Sequence, residues 1–225
     1  MNEEDIVKEF HKIYHSNGGR TWSGNTTWLG HKILKAVTDL WIYQEIIYET
    51  KPDIIIDIGT GEAGCTLYMA HILDLIYGMH GNDLNNLNKS KILSIDTENT
   101  NHIATLPKHN RIKYITGNSI SEETVTDVRQ YIKFPIKENI MVILDSNHQK
   151  EHVLEELKIY SKFVRPGNYI IVEDTNLSNH PMFSGYEGPW EAVTEFLGKS
   201  EKFIIDKDRE KFYLTFNPNG YLKRV

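Results

Sequence analysis

The chain has 225 residues, 40% of them hydrophobic and 25% charged, so it can bury one large core and has the composition of an ordinary globular domain. A formal net charge of −6 speaks against a nucleic-acid backbone or an anionic membrane surface as main partner. Its single cysteine, Cys65, rules out an internal disulfide and a cysteine-based metal cluster. The opening MNEEDIVKEF lacks the basic-then-apolar layout of a signal peptide. No apolar run approaches the roughly 20 residues of a membrane span, so a cytoplasmic enzyme is expected.

Residues 1–50 read as a helical, amphipathic segment. Leu40, Trp41, Ile42, Ile46 and Ile47 recur at near-helical spacing. Before them SNGGRTWSGNTTWLG reads as a loop carrying Trp22 and Trp28. The two indoles either pack on their own domain or lid an active site. From Lys51 to Val225 the rhythm changes to short apolar runs separated by helices. DIIIDIG (53–59), KILSIDTE (91–98), RIKYITGN (111–118), NIMVILDSN (139–147) and NYIIVEDTN (168–176) read as strands. CTLYMAHILDLIYGM, SEETVTDVRQYI and KEHVLEELKIYSKFV read as the helices between them, the last stopped by Arg165-Pro166-Gly167. The Asn-rich GNDLNNLNKS (81–90) reads as a mobile surface loop. KFIID and EKFYLTFN follow each other with no helix between and should close the sheet as a hairpin. The expected fold is α/β and Rossmann-like: a mostly parallel seven-stranded sheet, a C-terminal antiparallel hairpin and an N-terminal helical segment.

Asp57, Gly59, Thr60, Gly61 and Gly64 form a D-x-G-x-G-x-x-G turn between the first strand and its helix. Small residues there let backbone approach a ligand closely. Asp96, at the end of the next strand, can accept hydrogen bonds from both hydroxyls of a ribose. An acid opening the turn, its spacing and the C-terminal hairpin favour S-adenosylmethionine over NAD or another nucleotide. Asn118 and Ser119 stand where an adenine could be gripped, or else cap the following helix.

Asp145 ends one strand, and Glu173 and Asp174 end the next. C-terminal strand ends of a parallel sheet share one rim, so three carboxylates converge there. Such crowding is costly without an offsetting cation. Oxygen ligands suit Mg²⁺ first, with Mn²⁺ or Ca²⁺ next. The other reading is that one or two of these acids cap loops or pair with a basic residue. A divalent ion would lower the pKa of an acceptor hydroxyl and fix it beside the methyl donor. His148 is then the first candidate base and His180 the second, either of which could equally be structural. His148 to His152 also matches H-x-x-E-H, but at a strand-to-helix junction that does not suit a zinc protease.

NTTWLG, DLWIYQEII, D-x-G-x-x-x-x-G, LDSNHQKEHVLEEL, Y-x-x-x-V-x-P-G-x-Y-x-I-V-E-D-T-N, G-P-W-E-A-V-x-x-F-L and KFYLTFNPNGYLKRV together resemble the cephalosporin hydroxylase family, from Asn25 to Val225. Despite that name, the resemblance implies a Rossmann-like O-methyltransferase acting on natural-product hydroxyls, among them the methoxyl position of cephamycins and rhamnose units of glycolipids. It implies Asp145, Glu173 and Asp174 as Mg²⁺ ligands, and the 59–64 turn with Asp96 as contacts of S-adenosylmethionine. The chain departs from the family at Asp57 and at Ala63-Gly64-Cys65, where members often show Glu and Gly-Gly-Ser. Pro189 should open a helix. The loop before it, with Met182, Phe183 and Tyr186, should meet either the acceptor or another subunit of a homo-oligomer. The expected partner is a small-molecule hydroxyl acceptor. An iron oxygenase, wanting two histidines and a carboxylate, and a non-catalytic nucleotide-binding protein are the competing readings.

Overall fold

The computed structural model describes residues 2–79, 90–97, 104–133, 138–179, 185 and 187–225. His180, Met182, Phe183, Tyr186 and all but Ser90 of the Asn-rich stretch lie outside the described residues. The elements in chain order are α1 (Glu3–Ser16), β1 (Thr27–Trp28), β2 (His31–Lys32), α2 (Val37–Thr50), β3 (Ile54–Ile58), α3 (Gly64–Met79), β4 (Lys91–Asp96) and β5 (Ile112–Thr116). They continue with α4 (Glu122–Tyr131), β6 (Ile140–Leu144), α5 (Lys150–Tyr160), β7 (Tyr169–Val172), α6 (Pro189–Leu197), β8 (Phe203–Ile205) and β9 (Tyr221–Arg224).

Among the described residues the main sheet has seven strands in the order β5-β4-β3-β6-β7-β9-β8. β3 to β7 pair in parallel, and β9 joins β7 and β8 antiparallel. The continuous apolar runs follow from burial on both faces. Ile54, Ile56 and Ile58 of β3 and Ile140, Val142 and Leu144 of β6 face Val128, Val153, Leu157 and Phe196 of α4, α5 and α6. The alternate residues Ile55, Met141 and Ile143 face Ile42, Tyr43 and Ile46 of α2 and Met69 and Leu73 of α3. The period of two thus divides each strand between two helical layers. α2 ends at Lys51, in the left-handed region at φ 45°, with Pro52 behind it. The loop reading of residues 16–30 holds except at its end, where Leu29 and Gly30, both at positive φ, turn β1 into β2.

The C-terminal hairpin is present, but its second arm is Tyr221–Arg224 and not EKFYLTFN. Residues Lys207–Glu210 form a short 3₁₀ helix, and Tyr213 sits at φ 63°, which a strand does not tolerate. The buried Asp39 carboxylate on α2 accepts from Thr215 Oγ1 (2.6 Å) and Phe216 N (2.9 Å). Those backbone and hydroxyl groups bond a side chain in place of a ladder. No helix among the described residues is long and apolar enough to cross a membrane.

Candidate functional site

The ladder continues one step past the strand ends and fixes the rim. Gly59 N donates to Ile95 O (2.9 Å), Asp145 N to Ile58 O (2.8 Å), Gly117 N to Asp96 O (2.7 Å) and Glu173 N to Leu144 O (3.0 Å). A cavity of about 500 Å³ opens along this rim. Gly59, Gly61, Asp96, Asn118, Ser119, Asp145, His148 and Asp174 all line it, as do Trp22 and Leu34 from the chain before α2.

The turn after β3 needs glycine at two places. At Gly59, φ is 100° and a Cβ would stand 1.9 Å from Asp145 O, so the β3 and β6 rims could not meet around a side chain. At Gly61, φ is 49°, a Cβ would meet nothing within 4 Å among the described residues, and the residue lines the cavity. Gly61 N donates to Asp96 Oδ2 (2.9 Å), which holds the acid against the turn.

Three residues expected at the cofactor stand behind the cavity instead. Asp57 is buried, accepting from Thr66 Oγ1 (2.6 Å) and Ser94 Oγ (3.1 Å); burial pushes its carboxyl up to about 6. Thr60 Oγ1 bonds Ser94 Oγ (2.7 Å). Gly64 is needed because a Cβ there would stand 2.0 Å from Lys32 O, so its small size serves the packing of α3 on the β2 chain. Their place in this sequence is explained by supporting the turn. Asn118 and Ser119 do not cap α4, since Ser121 Oγ accepts from Thr124 N (3.2 Å) and takes that role. Ser119 Oγ instead donates to the buried Glu156 Oε1 (2.5 Å), which also accepts from Ser146 Oγ (2.7 Å).

The acidic trio does not meet as three equal ligands. Asp145, His148 and Asp174 present ligand atoms within 4.8 Å of one another. Glu173 stands deeper, where Oε1 accepts from Tyr43 Oη (2.5 Å) and Oε2 pairs with Lys35 Nζ (2.5 Å). Lys35 also pairs with Asp145. Among the described residues Glu173 thus shares with Asp145 a lysine that the sequence did not single out. Burial, then the neighbouring Asp145 charge, raises Glu173 well above the usual carboxylate range. Burial alone would lower Lys35; Asp145 and Glu173 outweigh it and hold the ammonium well above the usual lysine value. Asp174 stands at φ 55°, its N–H held by Asn217 Oδ1 (3.0 Å), and Asn217 Nδ2 reaches Tyr43 Oη (3.3 Å). An acid in the left-handed region stores strain where function is expected.

His148 Nε2 lies 3.3 Å from Asp174 Oδ2 at the cavity wall. His152 lies on α5 and meets Glu156 at 3.2 Å, whereas His148 precedes the helix. The H-x-x-E-H pair thus serves two different carboxylates. The two loop tryptophans part company. Trp28 Nε1 donates to His71 Nδ1 (2.9 Å) and its ring meets Tyr68 edge-on. Trp22 donates to His15 O (3.2 Å), meets Phe216 edge-on at 5.4 Å and faces the cavity.

The donor set suits a divalent ion. Asp145 and Asp174, with Glu173 beside Asp145 across the Lys35 ammonium, offer carboxylate oxygens, the donor type that suits Mg²⁺ or Mn²⁺.

Residues 20–225 match the family model described as Rhamnosyl O-methyltransferase/CmcI. Similar proteins include the rhamnosyl O-methyltransferase of Mycobacterium leprae (strain TN), 34% identical over 98% of this chain and 91% of that protein. The Mycobacterium bovis (strain BCG / Pasteur 1173P2) protein of the same name is 32% identical over 97% and 85%. Among solved structures, the Mg-SAM form of CmcI superposes with a TM-score of 0.61 at 14% identity, covering 89% of this chain and 76% of that one. The O-methyltransferase TomG from Streptomyces achromogenes superposes with a TM-score of 0.50 at 13% identity, covering 100% and 90%. At these identities the structural likeness concerns the fold.

Proposed function

The chain belongs to the rhamnosyl O-methyltransferase/CmcI family, and from that premise we propose that it transfers the methyl group of S-adenosylmethionine to a hydroxyl of a sugar or other natural product, beside a divalent cation. The observation that carries this reading is the juxtaposition, in one cavity, of the Gly59–Gly61 turn and Asp96 with the Asp145–His148–Asp174 cluster. The first group suits a ribose and a sulfonium amino acid; the second suits a cation and a proton acceptor.

In this reading Asp96 holds the ribose hydroxyls and Gly61 lets the donor lie against backbone. Asn118 and Ser119 border the adenine. Asp145, Glu173 and Asp174 would hold the cation, Glu173 from behind, where it faces Asp145 across the Lys35 ammonium. Bound there, Mg²⁺ supplies Lewis-acid polarisation of the acceptor hydroxyl. Asp174 engages Nε2 of His148, which leaves Nδ1 to take the hydroxyl proton as the oxygen attacks the methyl carbon. Trp22 and Leu34 cover the cavity from the side of residues 16–36 and keep water from the sulfonium, which is the lid role for the segment before α2. The relatives' names support a sugar acceptor, rhamnose first.

The oxygenase reading wants two histidines and one carboxylate, whereas the described cluster has one histidine and two. We place the homo-oligomer contact on the exposed stripe Ile6, Phe10 and Ile13 of α1 with Phe212 and Tyr213 beside it. Light scattering of an Ile6→Asp, Phe10→Asp variant should then report a smaller particle than wild type. A cytoplasmic setting agrees with the absence of a membrane-crossing helix among the described residues.

The test is calorimetry with S-adenosylmethionine joined to a labelled-methyl assay on rhamnosyl acceptors. Cofactor binding with turnover that EDTA abolishes supports the reading. Turnover that survives both EDTA and Asp145→Ala removes the cation from it, and failure to bind the cofactor removes the whole.

A further inference from the structure

Lys35 is the one cation that the described rim places among its carboxylates, and no step above uses it as a reacting group. Only 7% of its side chain is exposed. Ile33 and Ala36 beside it are buried, and the Lys32 backbone packs so closely on Gly64 that a single Cβ would collide. The linker between β2 and α2 is thereby pinned over the sheet rim, and the ammonium has little freedom to leave. It is shared between Asp145, on the cavity side, and Glu173, on the buried side.

The two partners differ in a way that matters. Glu173 is fully enclosed and further bonded by Tyr43. Asp145 keeps 21% of its side chain exposed and lines the cavity. An arriving divalent ion therefore meets Asp145 first, with Glu173 behind it across the ammonium. An ammonium and a divalent ion cannot both sit against one carboxylate oxygen in a poorly solvated site without strong repulsion. We propose that Lys35 is a built-in counter-cation that holds Asp145 and Glu173 together when no metal is bound, and that it yields its place beside Asp145 to the entering ion. The inference rests on the cation reading of the site and deepens it. Lys35 would set how tightly the metal binds, as a positioning residue that keeps the acids together in the empty state and weakens the site it preorganises.

The sign of the effect is the test. Taking away a positive charge a few ångströms from a dication must tighten its binding, whereas removing a mere scaffold would loosen it. Mn²⁺ binding, followed by electron paramagnetic resonance at a fixed pH of about 8, should be tighter by roughly tenfold or more in Lys35→Met than in wild type. Lys35→Arg, which keeps the charge, should bind no tighter than wild type. Unchanged or weaker binding by a folded Lys35→Met protein overturns the proposal. Absence of Mn²⁺ binding in wild type and both variants overturns the cation reading itself, and the inference falls with it. Should Lys35→Met not fold, the wild-type protein supplies the measurement. The ¹³Cε resonance of Lys35, assigned by its loss in Lys35→Arg, should shift on saturation with Mg²⁺, and a resonance that stays in place counts against displacement.

Discussion

At Gly59 a methyl group would meet the Asp145 carbonyl oxygen at 1.9 Å on a backbone held at φ 100°. Gly59→Ala should therefore cost about 3 kcal/mol or more, or prevent folding, as read by urea melts. Gly61 has the other kind of need. Gly61→Ala has room for its Cβ, so it should fold with a loss of about 1–2 kcal/mol from the left-handed backbone, while S-adenosylhomocysteine affinity drops because the new methyl intrudes on the cofactor side. A parallel fall in stability and affinity at both positions would contradict this division. Asp145→Asn should lower turnover by about a hundredfold or more, since a polarising cation contributes several kcal/mol, while cofactor affinity stays within a few fold. Asp96, Asp145, Asp174 and the glycines could be read from the sequence because each ends a strand or opens a turn, positions that a parallel sheet gathers on one rim. Lys35 could not. Its partner Asp145 is 110 residues away, and a lysine in the apolar string Ile33-Leu34-Lys35-Ala36 gives only the weak hint that something must neutralise it. The partners of Glu173 were hidden for the same reason: Tyr43 comes from a different layer.

α2 joins the sheet's back face to the C-terminal segment through one buried acid. Asp39 accepts from Thr215, Phe216 N and Tyr221 Oη (2.8 Å), yet burial lifts its carboxyl from 3.8 to about 6. The folded chain thus holds a proton on Asp39 at pH values where the unfolded chain has lost it. The stability this contributes is full below about pH 4 and lost as pH rises through 6. The advantage of wild type over Asp39→Asn should accordingly shrink by about 2–3 kcal/mol between pH 4 and pH 7, measured by denaturant melts across that range; a gap constant with pH would show that Asp39 is not buried as described. This capture also explains why EKFYLTFN misled. Its alternation and aromatic residues favour a strand, but Asp39 claims the backbone and hydroxyl groups a strand would need, and β9 falls to Tyr221–Arg224. The helices and the parallel strands were legible because their periodicity reports burial directly. The tryptophan loop was legible only as an alternative, since a local pattern cannot say that Trp28 finds His71 while Trp22 finds His15 and Phe216.

Among the described residues, two helical layers close the sheet and leave one rim open, where the β3 turn, the β6 and β7 acids and the chain before α2 meet. A ligand bound only by the folded state adds stability by mass action. S-adenosylhomocysteine at about 100 times its Kd should add about 2.7 kcal/mol, a rise in Tm of about 5–10 °C for a chain of this size; NAD at the same concentration should add none. The most direct measurement is a crystal grown with Mn²⁺ and S-adenosylhomocysteine and read by anomalous scattering. A manganese peak between Asp145 and Asp174, with the ribose on Asp96 and the homocysteine over Gly59–Gly61, is the predicted result. Manganese elsewhere, with Lys35 still on Asp145 and the glycine turn bare, would contradict it.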